Sequence, residues 1–166
     1  MNPEDLTSAV LFRYSGISTS EIEVIYNSLR KVFPVYEELH VHDPDSNYVS
    51  FVEIHFPIPF GDSSFQLVGA DAWNSIKGVL KEMKRRRGRK GLKVLLSFNG
   101  IPIEPNMNLV FSVVVDRGAD FDKAIEKIEF LGDIIPFQIK SLARKTNKIT
   151  YNYDETCSKW LPQNYE

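Results

Sequence analysis

Strand-like and helix-like patterns of apolar residues alternate along this chain, and that alternation constrains the fold more than any other feature. Residues 9–14 are mostly apolar and predict a strand that places Val10, Phe12 and Tyr14 on one face. Residues 22–33 repeat apolar side chains at helical spacing until Pro34, which cannot continue a helix. The β-branched and aromatic run 35–42 then predicts a second strand, so the first 42 residues are expected to form a βαβ unit.

Polar residues mark the expected start of each helix. Ser20 and Glu23 have the spacing of a capping box, in which each side chain accepts a hydrogen bond from the other residue's backbone N–H. Asp71 and Asp120 are placed to cap the second and third helices. The second helix is expected to end near Gly88 or Gly91, since glycine favours the backbone conformation that terminates helices.

Two neighbouring strand-like runs suggest a β-hairpin. The runs are 35–42 and 48–56, and the Asp-, Pro- and Asn-containing residues 43–47 between them favour a turn. Pairing across this turn would direct Phe51 toward the covering helices. The Pro- and Ser-rich segment 57–64 that follows is expected to be a loop.

Later elements repeat the pattern and lead to a fold class. Residues 92–98 and 109–115 form a second predicted strand pair, and 149–153 predicts a strand near a sheet edge. We therefore predict a single α+β domain over 1–166, with helices mainly on one face of a largely antiparallel sheet. The sheet is expected to be a βαββαβ ferredoxin-like (split βαβ) sheet, extended by a third βαβ unit. Residues 137–166 are expected to be a C-terminal extension that packs on the sheet.

Composition excludes several classes of protein. With 43% hydrophobic and 25% charged residues, the 166-residue chain is neither disordered nor collagen-like. The one cysteine, Cys157, has no partner for an internal disulfide or a thiolate metal site, which fits a reducing compartment. No apolar stretch reaches the ~18 residues of a membrane span, and no signal peptide is recognisable. We expect a cytoplasmic protein with no membrane contact and no cofactor.

One face of the predicted hairpin combines aromatic, acidic and apolar side chains. Apolar residues from the neighbouring strands would join it, so this face needs a cover. Three covers remain open: the C-terminal segment, a second copy of the chain in a homodimer, or a ligand or partner. The residues assigned to this protein-interaction face are Tyr36, Glu38, His40, His42, Tyr48, Val52 and Ile54.

The positive charge is concentrated in one place, which we call the basic segment (residues 84–93). Six of the 20 Lys and Arg residues lie within 84–90, so the rest of the chain carries 14 minus 22, or −8, although the total is only −2. Such a cluster binds nucleic-acid phosphates in some proteins and is a solvated helix end in others. The candidate phosphate-binding residues are Lys84, Arg85, Arg86, Arg87, Arg89, Lys90 and Lys93.

Few residues suggest catalysis. His40 and His42 point to one side of a strand because they are two residues apart, and Glu38 joins them as a third potential metal ligand. His55 does not converge with them on the predicted register. The sequence contains no phosphate-binding loop, dinucleotide fingerprint, nucleophile elbow, H-E-x-x-H or C-x-x-C motif, which favours a non-enzymatic protein.

The function that these patterns favour is a non-catalytic protein-interaction module. We expect a small cytosolic adaptor, inhibitor or immunity-type protein that binds a protein partner or itself. Two alternatives remain open. One is nucleic-acid binding through the basic segment, and the other is a small metal-dependent enzyme that uses His40 and His42.

Overall fold

The structure, a computed structural model, describes residues 8–89, 91–141 and 147–163. In chain order the strands are β1 (Val10–Ser15), β2 (Val35–Leu39), β3 (Ser50–Phe56), β4 (Leu92–Phe98), β5 (Asn108–Val113), β6 (Lys148–Asp154) and β7 (Lys159–Pro162). The helices are α1 (Thr19–Arg30), α2 (Asp62–Val68), α3 (Ala70–Arg87), α4 (Gly118–Lys127) and α5 (Ile135–Ser141), and a 3-10 helix (Ile128–Phe130) follows α4. The strands form one seven-stranded sheet in the order β2-β1-β3-β4-β5-β6-β7.

The sheet is mixed rather than largely antiparallel. Each helical crossover joins two parallel neighbours, β1 with β2, β3 with β4, and β5 with β6. The contacts between units, β1 with β3 and β4 with β5, are antiparallel. The α+β class is confirmed, and the third unit does extend the sheet. The predicted split, ferredoxin-like placement is not found, because no strand lies between the two parallel strands of any unit.

The helices cover one face of the sheet. The pairing aligns a row of buried side chains across five strands: Phe12, Ile54, Leu96, Phe111 and Tyr151. The apolar stripes of α1, α3 and α4 pack on this row and form one continuous core with it. The other side of the sheet, which we call the open face, carries no described helix.

The predicted hairpin between 35–42 and 48–56 is wrong, because β1 lies between β2 and β3. The predicted turn itself does form, since the Asp43 side chain accepts a hydrogen bond from the Asp45 N–H at 2.9 Å. The turn reverses the direction of the chain, so β3 runs antiparallel to β1 and β2. It pairs with β1 rather than with β2, because the crossover through α1 places β2 on the other side of β1. As a result Phe51 lies on the open face and not under the helices.

Helix α1 begins earlier than the sequence pattern predicts. Ser18 Oγ accepts a hydrogen bond from Glu21 N at 3.2 Å, and Glu21 Oε1 accepts one from Ser18 N at 2.8 Å. The capping box is therefore Ser18 with Glu21, and not Ser20 with Glu23. Both pairs have the required spacing, so spacing alone cannot choose between them.

Other helix starts also differ from the prediction. Asp71 lies inside α3, which begins after Gly69, and Asp120 lies in the first turn of α4. Asp120 accepts a hydrogen bond from Arg117 Nε at 2.8 Å instead of capping the helix. The sequence pattern predicts neither α2, which lies partly in the expected loop 57–64, nor α5. Each has only seven residues, too few to show a clear helical period.

The C-terminal region joins the sheet at its end. The described part of 137–166 does not cover the open face, because β6 and β7 add to the sheet and α5 packs on the helix side through Ile135 and Ile139. None of the helices in the described ranges has the length and apolar character needed to cross a lipid bilayer.

Candidate interaction surface

The free edge of β2 carries unused backbone groups. The His40 N–H donates to the Tyr14 carbonyl at 2.9 Å, which shows which positions face β1. Because backbone groups of a strand alternate in direction, the N–H and C=O groups of Val35, Glu37 and Leu39 point away from β1. β2 is the outermost strand, and no described strand lies on that side. The edge therefore offers three donors and three acceptors to an added strand.

The opposite edge of the sheet, at β7, is protected. Gln163 N donates to Thr150 O at 2.8 Å, so by the same alternation Trp160 and Pro162 turn their backbone groups outward. Proline has no N–H, which leaves β7 a single outward donor within the described strand. The strand is also only four residues long. Short edge strands that contain proline resist pairing with another chain.

Exposed apolar side chains lie at the end of the sheet where β2 finishes and β3 begins. Leu39 is 74% exposed, and Val41 and Val49 are also largely exposed. Glycine at position 16 lets the chain after β1 approach the backbone of Val49. Its φ is +66°, and an added Cβ would lie 2.3 Å from the Val49 carbonyl oxygen. An apolar end next to an open edge is typical of a binding surface.

Four rings cover the adjoining part of the open face. The His40 and Phe51 rings stack with their centroids 4.0 Å apart. They meet across β1 because Ser15, which pairs with Phe51, is small. Tyr48 lies 6.0 Å from Phe51 and 6.1 Å from His42, measured between ring centroids. The chain between β2 and β3 is thereby held against the open face.

The geometry does not assemble the predicted metal ligands. Arg13 Nη2 donates to Glu38 at 3.3 Å, and Arg13 Nη1 donates to Glu53 at 3.4 Å. Glu38 is therefore occupied by an ion pair, while His40 and His42 face aromatic rings. Among the described residues no three His, Cys, Asp or Glu side chains are arranged to hold a metal ion. The alternative that uses His40 and His42 has no geometric support here.

Five of the seven residues predicted for the interaction face lie along β2 and the chain that leads to β3. These five are Tyr36, Glu38, His40, His42 and Tyr48. Val52 and Ile54 do not join them, because both are fully buried beneath the helices. We call the free edge of β2, the exposed apolar side chains at its end and the four rings the β2 surface.

The prediction missed Phe51, whose buried ring packs against His40 and Tyr48 in the β2 surface. A signal for it was present in the sequence. Glu53 and His55 are polar and share the parity of Phe51, whereas the apolar Val52 and Ile54 have the opposite parity. This alternation directs Phe51 to the face opposite the helices. The alternation was overlooked because the faces of this strand were assigned from the assumed hairpin.

Lys84 of the basic segment is a structural residue. Its side chain is buried, and Nζ donates to the carbonyl oxygens of Gly88 at 2.8 Å and Val115 at 2.6 Å. Burial lowers the pKa of Lys84, while Asp116 and Glu155 oppose that shift. The ammonium ties the C-terminus of α3 to the chain after β5, so it cannot contact a phosphate.

Arg87 also acts inside the protein. Its guanidinium donates to both carboxylate oxygens of Glu21, at 2.6 and 2.8 Å, and to Ser50 Oγ at 2.7 Å. Glu21 is buried, so this bidentate pair joins α1, α3 and the start of β3 in a poorly solvated position.

The exposed cations of the basic segment are partly neutralised. Arg85 and Arg86 both donate to Glu82, at 2.6 and 3.2 Å. Lys93 lies over the Tyr48 ring, 5.4 Å from its centroid. Arg89 is exposed, and Lys90 lies outside the described residues. The segment therefore presents much less free positive charge than its sequence suggests.

We expect Arg85 and Arg86 to be dispensable for stability. Replacing both by alanine should change the free energy of unfolding by less than about 1 kcal/mol, because exposed ion pairs contribute little. Arg87→Ala should cost about 3 kcal/mol, because it removes the bidentate partner of the buried Glu21 carboxylate and leaves Arg86, 4.0 Å away, as the nearest cation. Urea unfolding at neutral pH measures both effects. Equal losses of stability in the double variant and in Arg87→Ala would contradict the structural role assigned to Arg87. If the double variant is as stable as expected, it can also be used to test RNA and DNA binding in a folded protein.

No protein-family model matches the chain, and no curated protein or solved structure matches it at a significant level.

Proposed function

We propose that the protein is a non-catalytic interaction module, an adaptor or inhibitor, whose partner adds an extended segment to the free edge of β2. The observation that carries the proposal is the outward orientation of the Val35, Glu37 and Leu39 backbone groups. Strand addition of this kind takes its affinity from main-chain hydrogen bonds and its specificity from alternate side chains.

The side chains of β2 indicate the chemistry of the partner. Glu37 and Glu38 are exposed in the middle of the strand, and Leu39 is exposed at its end. Because Glu38 is paired with Arg13, Glu37 is the carboxylate of this pair that is open to a partner. An added strand with a basic residue opposite Glu37 and an apolar residue opposite Leu39 complements this edge. A second copy of β2 fits less well, because antiparallel pairing centred on Glu37 would place like charges opposite each other. A basic partner is therefore favoured over a homodimer at this edge.

A peptide selection tests the proposal. Random ten-residue peptides displayed on phage are selected against the immobilised protein, and the enriched peptides are synthesised and titrated. We expect basic, extended sequences. Glu37→Pro should weaken their binding about tenfold, because it removes one outward N–H and leaves a partner carbonyl without its hydrogen bond. Proline is tolerated on a free strand edge, and the pairing of β2 with β1 does not use this N–H.

Matched variants separate the backbone from the side chain. Glu37→Ala keeps the N–H and should retain most of the affinity for peptides that do not depend on this carboxylate. Amide chemical shifts of the bound protein should change at Val35, Glu37 and Leu39. The proposal fails if the selected peptides bind Glu37→Pro as tightly as the unmodified protein, or if the shift changes map to another surface.

A further inference from the structure

A second surface lies at the opposite edge of the sheet, between α5 and the edge strand β7. It is a groove of about 410 Å³. Half of its lining residues are apolar, and these are Leu131, Ile134, Trp160 and Leu161. Trp160 is held in place because its ring N–H donates to the Ala124 carbonyl at 2.9 Å. The floor of the groove is thus a fixed aromatic ring.

Apolar surface continues beyond the groove. Phe137 is 74% exposed and lies on α5 three residues after Ile134, so helical spacing places it at the border of the groove. Phe130, just before Leu131, is 75% exposed. A small molecule that filled only the groove would leave the Phe137 ring in water, so a protein segment fits this surface better.

The charges that line the groove have one sign. Lys127 and Lys159 are the ionisable residues in its lining, and no described carboxylate lines it. Lys127 is oriented because Nζ donates to the Ser158 carbonyl at 2.5 Å. Ser158 has φ +55°, which turns this carbonyl toward the end of α4. The whole chain carries a net charge of −2, whereas both ionisable residues of this lining are cations.

The backbone of the neighbouring strand restricts the conformation of an occupant. β7 offers only the Trp160 N–H as an outward donor, because Pro162 has none. An extended segment would therefore find few main-chain partners here. A helix satisfies its own backbone groups and needs only an apolar stripe to enter the groove.

We infer that the groove between α5 and β7 binds an acidic amphipathic helix of a partner protein. The apolar stripe of that helix packs on Ile134, Trp160 and Phe137, and its carboxylates meet Lys127 and Lys159. This site is independent of the β2 surface, which lies at the opposite edge of the sheet.

Designed peptides test the inference. An 18-residue helical peptide with Leu and Phe at helical spacing and Glu at the other positions is titrated by fluorescence anisotropy, next to a peptide in which Lys replaces every Glu. We expect the acidic peptide to bind at least about tenfold more tightly, and its affinity to fall with added salt. The double variant K127E/K159E should weaken the acidic peptide at least about tenfold.

A matched variant controls for net charge. Lys31 and Lys123 are exposed and do not line the groove, so K31E/K123E makes the same charge change and should leave the affinity nearly unchanged. Ile134→Ala should weaken binding without a charge change. The inference is overturned if both peptides bind equally, if neither binds, or if the two double variants behave alike. Glu37→Pro should not affect this peptide, so this inference and the strand-addition proposal can fail separately.

Discussion

Replacing Glu21 by alanine should lower the free energy of unfolding by about 3 to 5 kcal/mol at neutral pH, because the half-buried Arg87 guanidinium loses its bidentate partner. The Glu21 carboxylate accepts two hydrogen bonds from Arg87 and one from the Ser18 N–H. The substitution therefore removes two interactions at once. It removes the ion pair between α1 and α3, and it removes the Glu21 half of the capping box of α1. Urea unfolding followed by circular dichroism measures the loss.

The same carboxylate predicts how stability depends on pH. Burial alone would raise the pKa of Glu21, but hydrogen bonds from Arg87 and Ser18 outweigh it and lower the pKa from 4.5 to about 2. Because the folded-state pKa is lower than the unfolded value, this group stabilises the protein above pH 4.5, and the contribution is lost as the pH falls toward 2. Between pH 4.5 and about 2, the free energy of unfolding should therefore fall less in Glu21→Ala than in the unmodified protein.

Glu23 provides the matched control for Glu21. It lies two residues away on α1 and is exposed. Glu23→Ala should change the free energy of unfolding by no more than about 0.5 kcal/mol, as exposed substitutions usually do. If Glu21→Ala and Glu23→Ala had equal effects, or if the pH dependence were unaltered in Glu21→Ala, the buried ion pair would not have the role assigned to it.

Replacing Phe98 by alanine should have an effect of similar size, about 3 to 5 kcal/mol. The Phe98 ring is fully buried on β4. Its centroid lies 5.0 Å from that of Phe60, 5.2 Å from Phe56 and 6.1 Å from Phe111. Removal of the ring leaves a cavity in the middle of the core, which the surrounding rings can fill only in part.

Two comparisons make the Phe98 prediction specific. Phe98→Leu keeps most of the volume and should cost clearly less than Phe98→Ala. Phe137→Ala removes an identical but exposed ring and should change the free energy of unfolding by no more than about 0.5 kcal/mol. Chemical denaturation of the three variants measures these differences. Comparable losses for Phe98→Ala and Phe137→Ala would contradict the assigned core.

Local patterns predicted much of the secondary structure. The strand at Val10–Ser15, the pair at Leu92–Phe98 and Asn108–Val113, and the end of α3 before Gly88 agree with the sequence analysis. These elements were predictable because their apolar periodicity lies within a single stretch of chain. Helix starts were less certain, since Ser18 and Ser20 offer equivalent capping boxes.

Strand pairing was not predictable in the same way. A turn at 43–47 is compatible with a hairpin, and nothing within 35–56 shows that β1 has taken the place between the two strands. That placement depends on how α1 packs on the sheet, which involves residues far apart in the sequence. The error then reversed the faces of β3. Phe51 was expected to face the helices but lies buried on the open face against His40 and Tyr48, and Val52 was expected on that face but lies beneath the helices.

The basic segment shows the same limit for function. A count of its charges suggests a phosphate-binding site, but the count does not distinguish Arg85, which is exposed, from Lys84, which is buried. The partners of Lys84 and Arg87 lie on other elements, at Val115 and Glu21. Only the tertiary contacts show which cations remain free.

The sequence by itself determined the longer helices and most of the strands of this protein, its α+β class and the residue types available at its surface, because these depend on composition and on short-range periodicity. It did not predict the short elements α2, α5 and β7, which have four to seven residues each. The tertiary structure alone decided the strand order, the free edge of β2, the protected edge of β7 and the groove beside α5. Each of these features arises where distant segments meet, and hydrophobic packing selects among pairings that local sequence leaves equivalent.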